Sequence, residues 1–247
     1  IAFDLDGTLL TEKKTLTPRT ALTLKHFADT GTLLVVCTGR ALIGVPDDVS
    51  ALKGCKYMIT ANGAAVYEKK DDCSYTLISE HLMDNQRARE LMRRLSAYRV
   101  MPDPFIDGKC FMYADKRYLI DMMDVSAEMR DYVRMSRTPV ENMDEFLSDK
   151  KIQKITINFA SYPDGHRIDY DETVNILSDY PEFTKVTGGI KNIEVSDVYA
   201  TKGNALMELS SSLDISPDEI IPTELPFIAP NTSLSTRCAM NFPASSS

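Results

Sequence analysis

An apolar triplet that runs straight into two aspartates and a glycine, Ile1-Ala2-Phe3-Asp4-Leu5-Asp6-Gly7, constrains this chain more than any other stretch. An apolar run closed by a turn signal reads as a buried strand of a parallel sheet. Asp4 and Asp6 are two residues apart, which is the strand period, so both carboxylates can face one way while Leu5 faces the other. Gly7 then lets the backbone leave the strand in a conformation that other residues resist. Two carboxylates at a strand's C-terminal edge repel each other unless a cation or a shared proton lies between them. Mg²⁺, with its demand for oxygen ligands, answers that need. Taken alone, the same pattern also describes a plain Asp-Gly turn with two solvated carboxylates.

The next segment repeats the theme. Thr11 to Thr17 is polar and irregular, suited to a flap over the strand edge. Thr17-Pro18 opens a helix with Thr as N-cap and Pro at the first helical position. Leu22, Leu24, Phe27 and Ala28 give it an imperfect apolar stripe, and Gly31 ends it. Leu33 to Cys37 reads as a second buried strand, which completes a right-handed βαβ unit. That strand ends in Thr38-Gly39-Arg40. A hydroxyl, exposed backbone N–H groups and a cation at such an edge suit an anion, although an ordinary strand-to-helix turn has the same outline.

Ala41 to Leu52 predicts a weak helix interrupted by Gly44 and Pro46, and Tyr57 to Thr60 a third strand. Ala61-Asn62-Gly63-Ala64 is a turn that also reads as a hairpin with Ala64 to Tyr67. From His81 the pattern changes. Helical spacing over Asp84–Tyr98, two short strands around Asp107-Gly108, a Met- and Asp-rich helix over Asp115–Val133 and a short helix over Asn142–Asp149 follow in turn. Ile152 to Phe159 alternates as a half-exposed strand does. A helix over Asp169–Ser178 and a strand over Phe183–Thr187 complete the set. These elements predict a second, α+β domain at 81–187 with an antiparallel sheet, inserted between 1–80 and 188–247 of the first domain. An inserted domain is a lid candidate. Met122, Met123, Met129 and Met135 read as helix core in preference to an adaptable substrate face. Ile193-Glu194-Val195 reads as the return to the first domain. Thr201 then caps a helix whose first turn holds Lys202, against the preference of the helix dipole. A phosphate at the same helix end would justify that cation.

Composition excludes several classes. Against 28 Lys+Arg stand 36 Asp+Glu, a formal net charge of -8, and an acidic chain without a basic run is a poor nucleic-acid binder. The five cysteines, Cys37, Cys55, Cys73, Cys110 and Cys238, have no CxxC spacing and suggest reduced thiols in a cytoplasmic protein. The longest apolar run is far too short to span a membrane, and no signal peptide is visible. Because the chain opens inside a strand, a few residues are expected to precede it. His26, His81 and His166 show no metal-ligand spacing and read as structural or surface residues.

In order, FDLDGTL, the strand ending in Thr38-Gly39-Arg40, the Asn-Gly-Ala turn after the third strand, and Thr201-Lys202-Gly203-Asn204 resemble the motifs of the haloacid-dehalogenase-like phosphatases. The turn is typical of the Cof-type subgroup with a large C2-type cap. The resemblance implies a Rossmann-like α/β core with an inserted α+β cap that sets substrate specificity. It also implies Mg²⁺-dependent hydrolysis of a small phosphorylated metabolite, such as a sugar phosphate, by a monomer or weak homodimer. By the same resemblance Asp4 is the nucleophile, Asp6 the general acid/base, and Asp4 and Asp6 the metal ligands. Thr38 and Lys202 are catalytic, while Gly39, Arg40, Asn62, Gly63 and Asn204 bind phosphate or substrate. A phosphomutase shares this chemistry, and a non-catalytic binding protein is the reading from another class. A receiver domain also offers a phosphorylatable Asp, but the Asp4/Asp6 pair and the large insertion argue against it. The resemblance breaks after Ile220-Ile221. Where the family carries GDxxND, this chain has Pro222-Thr223-Glu224-Leu225-Pro226-Phe227, so Thr223 and Phe227 stand at the two acidic positions and Glu224 is the nearby acid. The tail from 222 to 247 is therefore expected either to pack poorly or to follow a core-like path with unsuitable side chains.

Overall fold

The structure, a computed structural model, describes residues 1–11 and 13–223. In chain order the first elements are β1 (Ala2–Phe3), α1 (Pro18–Asp29), β2 (Leu34–Cys37), α2 (Asp47–Ser50), β3 (Cys55–Thr60), β4 (Ala65–Lys69) and β5 (Tyr75–Glu80). They are followed by α3 (Asn85–Ser96), β6 (Val100–Ile106), β7 (Lys109–Tyr113), α4 (Ala127–Ser136), β8 (Thr138–Val140) and α5 (Met143–Phe146). The last are β9 (Lys154–Phe159), α6 (Tyr170–Ser178), β10 (Phe183–Thr187), β11 (Ile193–Asp197) and α7 (Lys202–Ser212). The chain divides into two compact units. One comprises Ile1–Gly39, Pro46–Ile78 and the chain from Thr201 on; the other comprises Arg40–Val45 and Ser79–Ala200.

The first unit is an α/β layer built on a sheet of order β1-β2-β3-β4-β5. Strands β1, β2 and β3 are parallel, and β4 runs antiparallel to β3. Ala2, Val35, Cys37, Tyr57, Ile59 and Val66 form an apolar face against Ala205, Leu206 and Leu209 of α7. The connection through α1 starts as the sequence requires: the Thr17 hydroxyl accepts from the Thr20 N–H at 3.1 Å, with Pro18 at the first helical position. The apolar stripe differs from expectation. Leu24 is buried, whereas Leu22 and Phe27 are exposed, because the inward face follows Ala21, Leu24 and Ala28 at i, i+3 and i+7. The weak helix expected over 41–52 resolves into a 3₁₀ turn at Leu42–Gly44 and the single-turn α2 after Pro46.

Beyond β2, on the other side of β1, the chain pairs again. The Ala2 N–H donates to Ile221 O and the Thr223 N–H to Ala2 O, both at 3.0 Å, with Pro222 the parallel partner of Ala2. In a parallel pair the residues flanking Pro222 supply the bonds to Ala2, so its missing N–H leaves this side of the ladder intact. Glu224, Pro226, Phe227 and the remainder of the tail lie outside the described residues.

The second unit holds a sheet of order β10-β11-β9-β6-β7-β8. All its pairings are antiparallel except β7 with β8. Helices α3 and α6 cover one face, where Leu91, Leu95, Ile176 and Leu177 pack on Val100, Ile155, Ile157, Ile193 and Val195. Three expectations are corrected here. First, Ile193–Val195 does not return to the first unit: β11 pairs with β9 and β10, and the crossing falls at Thr201 instead of near 188. Second, β9 is not half-exposed, since all six of its residues are buried. Its polar face is covered as well, with Lys154 ion-paired to Glu194 at 3.1 Å and set over the Phe105 ring. Third, the helix expected over 115–133 is a 3₁₀ run, Ala114–Met122, followed by α4, because Ser126 caps a new helix by accepting from the Met129 N–H. Met123 is buried, but Met122 and Met135 are exposed, so the methionines do not form one core stripe.

Candidate active site

Three parallel strands bring three motifs to one sheet edge. Asp4 follows β1, Thr38 follows β2 and the Ala61–Gly63 turn follows β3. The C-terminal ends of parallel strands are where open α/β sheets receive ligands. Asp4 and Thr38 are both buried. The Thr38 N–H donates to Ile59 O at 2.8 Å, and its carbonyl accepts from the Asn62 N–H at 3.1 Å, so backbone bonds on both sides fix it.

Lys202 arrives from the far end of the sequence. Its Nζ lies 2.9 Å from Asp4 Oδ1, with side-chain exposures of 23% and 9% respectively. This resolves the cation's unfavourable place in the first turn of α7: its partner is a carboxylate, and the exposures leave the pair within reach of a ligand. The helix start is orthodox otherwise, with the Thr201 hydroxyl accepting from the Asn204 N–H at 3.0 Å.

Asp6 is built differently. Gly7 takes φ +80° just after it, as a left-handed turn requires, and the chain folds back so that Leu10 pairs with Asp6. Lys14, midway along the 11–17 segment, places Nζ 2.6 Å from Asp6 Oδ1, both side chains being about two-fifths exposed. Sequence reasoning took Lys14 as part of a polar loop and missed this contact. The left-handed φ of Lys14, +60°, that aims it has no signature in the residue type. Arg40 lies apart in the fold's division. It belongs to the second unit, where its guanidinium donates to Gly44 O at 2.8 Å and lies over the Tyr132 ring. Burial pushes the Cys37 thiol, which follows Val36 on β2, up to about 12, and neighbouring Lys202 and Asp4 act on it in opposite directions.

The residues that the resemblance assigns to a divalent cation are Asp4 and Asp6. Thr223, beside β1, brings no carboxylate, and the described residues hold no group of three or more His, Cys, Asp or Glu able to bind a metal. Mg²⁺ commonly sits on one or two carboxylates with the remaining positions taken by water and substrate phosphate. Asp4 alone, already held by Lys202, offers one carboxylate to such an ion, and Asp6, held by Lys14, a second.

The sequence model of the haloacid dehalogenase-like hydrolases matches residues 1–222. The chain is 24% identical over 244 residues to the 5-amino-6-(5-phospho-D-ribitylamino)uracil phosphatase YwtE of Bacillus subtilis, covering 89% of this chain and 79% of the relative. A shorter match, 32% over 107 residues, covers 43% of this chain and 38% of the pyridoxal phosphate phosphatase YbhA of Escherichia coli. Among solved structures, a haloacid dehalogenase-like hydrolase from B. subtilis superposes with a TM-score of 0.69 at 23% identity, covering 87% of this chain and 79% of that one. The HAD subclass IIB sugar phosphatase BT4131 gives 0.64 at 15% identity, covering 90% and 78%.

Proposed function

The chain belongs to the haloacid dehalogenase-like hydrolases, and we propose that it hydrolyses small-molecule phosphate monoesters through an aspartyl-phosphate on Asp4. The observation that carries this reading is the Asp4–Lys202 pair at 2.9 Å, beside a strand-end Thr38. A carboxylate oxygen of Asp4 attacks phosphorus, a P–O bond to Asp4 forms, and the bond to the leaving oxygen breaks. Asp6 gives its proton to that oxygen and then takes one from the water that hydrolyses the acyl phosphate, which regenerates both carboxyl groups. Lys202, Thr38 and the backbone at Gly39 hold the phosphoryl oxygens as charge develops on them. When held by Asp4, Mg²⁺ would reduce the repulsion between carboxylate and phosphate, which leaves Asp6 to carry the proton.

Asn204 supports the site through the helix cap. The second unit acts as the cap that selects the leaving group, and the relatives named for ribityl and pyridoxal phosphates indicate the substrate class. The test is Mg²⁺-dependent release of phosphate from an aryl phosphate by the full chain, set beside Thr223→Asp/Phe227→Asp. The written sequence should turn over slowly and bind Mg²⁺ weakly, and the double variant should improve both. Equal Mg²⁺ affinity and equal turnover in the two proteins would refute the reading of the tail, and no phosphate release by either would refute the reading as a phosphatase.

A further inference from the structure

The turn after β3 has an unusual backbone. Three successive residues lie in the left-handed region, with φ of +50° at Ala61, +64° at Asn62 and +104° at Gly63. Asparagine and glycine accept this conformation readily, but for alanine it costs roughly 1–2 kcal/mol. Ala61 and Ala64 are fully buried, so the turn is not a free loop. On one side the Asn62 N–H donates to Thr38 O at 3.1 Å. On the other, a Cβ at Gly63 would fall 2.1 Å from Thr201 O and 2.9 Å from Lys202 N. These are backbone atoms, which cannot swing aside as a side chain can. Only glycine lets the turn press this closely on the start of α7.

We infer that residues 61–63 are a positioning brace, in which the missing side chain of Gly63 sets the place of Lys202 against Asp4. The brace joins the strand-end Thr38 to the helix-end Thr201 through main-chain contacts, so two segments far apart in sequence share one rigid support. The sequence resemblance put Asn62 and Gly63 among phosphate-binding residues. Their main chain also touches the framework that carries Thr38 and Lys202. The catalytic meaning of the brace rests on the phosphatase reading, but its geometry does not.

The experiment is Gly63→Ala, read three ways in the full chain. A crystal structure should show Lys202 Nζ withdrawn from Asp4 Oδ1 beyond hydrogen-bond distance. For an aryl phosphate, kcat should fall at least about thirtyfold while KM changes by less than about threefold. In the wild-type protein, hydrogen exchange should show the Asn62 amide opening only with global unfolding, a measurement that stands even if the variant does not fold. An unmoved Lys202 with unchanged kcat would overturn the inference, as would an Asn62 amide that exchanges like a free loop. If neither the wild-type chain nor its Thr223→Asp/Phe227→Asp variant releases phosphate, the phosphatase reading falls, while the Lys202 position and the amide exchange still decide the brace.

Discussion

The two units each hold an acid–cation pair beside a buried thiol, and the pairs are built on opposite plans. Asp4 meets Lys202 just past the end of β1, with Cys37 nearby. Asp103 meets Arg137 at 3.2 Å in the middle of β6, across from Thr156 of β9, with Cys110 nearby. In the first pair the lysine is 23% exposed; in the second the side chains are 8% and 1% exposed. Asp103 also accepts from Asn158 at 2.8 Å, and its Oδ1 is buried without a hydrogen-bond partner among the described residues. A carboxylate at a strand end faces the crevice where the backbone turns away, so a ligand can reach it. A carboxylate in mid-strand is walled in by its neighbours. Ion pairing and burial alone therefore do not mark a site; the place along the strand does.

The comparison breaks most sharply through turnover. Asp4→Asn should lower aryl phosphate hydrolysis by at least about a thousandfold, since the amide is not the nucleophile, while thermal unfolding stays close to wild type. Near-normal turnover from the folded variant would remove Asp4 from the mechanism. Arg137→Met should do the reverse. It leaves a buried carboxylate uncompensated and should cost about 3–5 kcal/mol in urea unfolding, with kcat per folded molecule retained.

Burial pushes the Asp103 carboxyl up from 3.8 to about 6, against the opposing pull of Arg137 and Asn158. The folded state then holds the proton more tightly than the unfolded chain. The stability contributed by Asp103 is present below pH 3.8 and is lost as pH rises through about 6. A shift of this size corresponds to about 3 kcal/mol. Asp103→Asn should remove that dependence from unfolding curves recorded between pH 4 and 7; an unchanged slope would place the titration elsewhere. The smallest effect concerns the thiols. Burial holds Cys37, Cys55 and Cys110 up at about 12, whereas Cys73 is exposed. In a Cys238→Ser background, one thiol should react quickly with an aromatic disulfide at pH 8. Rapid labelling of Cys37 or Cys110 would show that one of the two pairs is open to solvent.

Where the candidate residues fall along the chain's strands and helices was legible because the signals are local. Asp4, Thr38 and Lys202 each sit at a strand end or helix start that neighbouring residues announce: apolar runs before Asp4 and Thr38, an N-cap before Lys202. The misreadings came where register or handedness decides. Ile193–Val195 has the composition of a strand in either unit, and only its pairing with β9 and β10 assigns it to the second. Arg40 continues the Thr38 motif in sequence, yet its side chain packs with Tyr132 of the second unit.

The sequence by itself determined the α/β class, most of the strands and helices and the family, since these follow from hydrophobic period, turn residues and short motifs. Tertiary structure alone decided that Lys14 reaches Asp6, that Arg137 neutralises Asp103, and that Gly63 presses on Thr201. The physical reason is range. Periodicity and capping act over a few residues, whereas these contacts join chain positions through left-handed backbone, strand register and close approach, which residue type permits but does not specify.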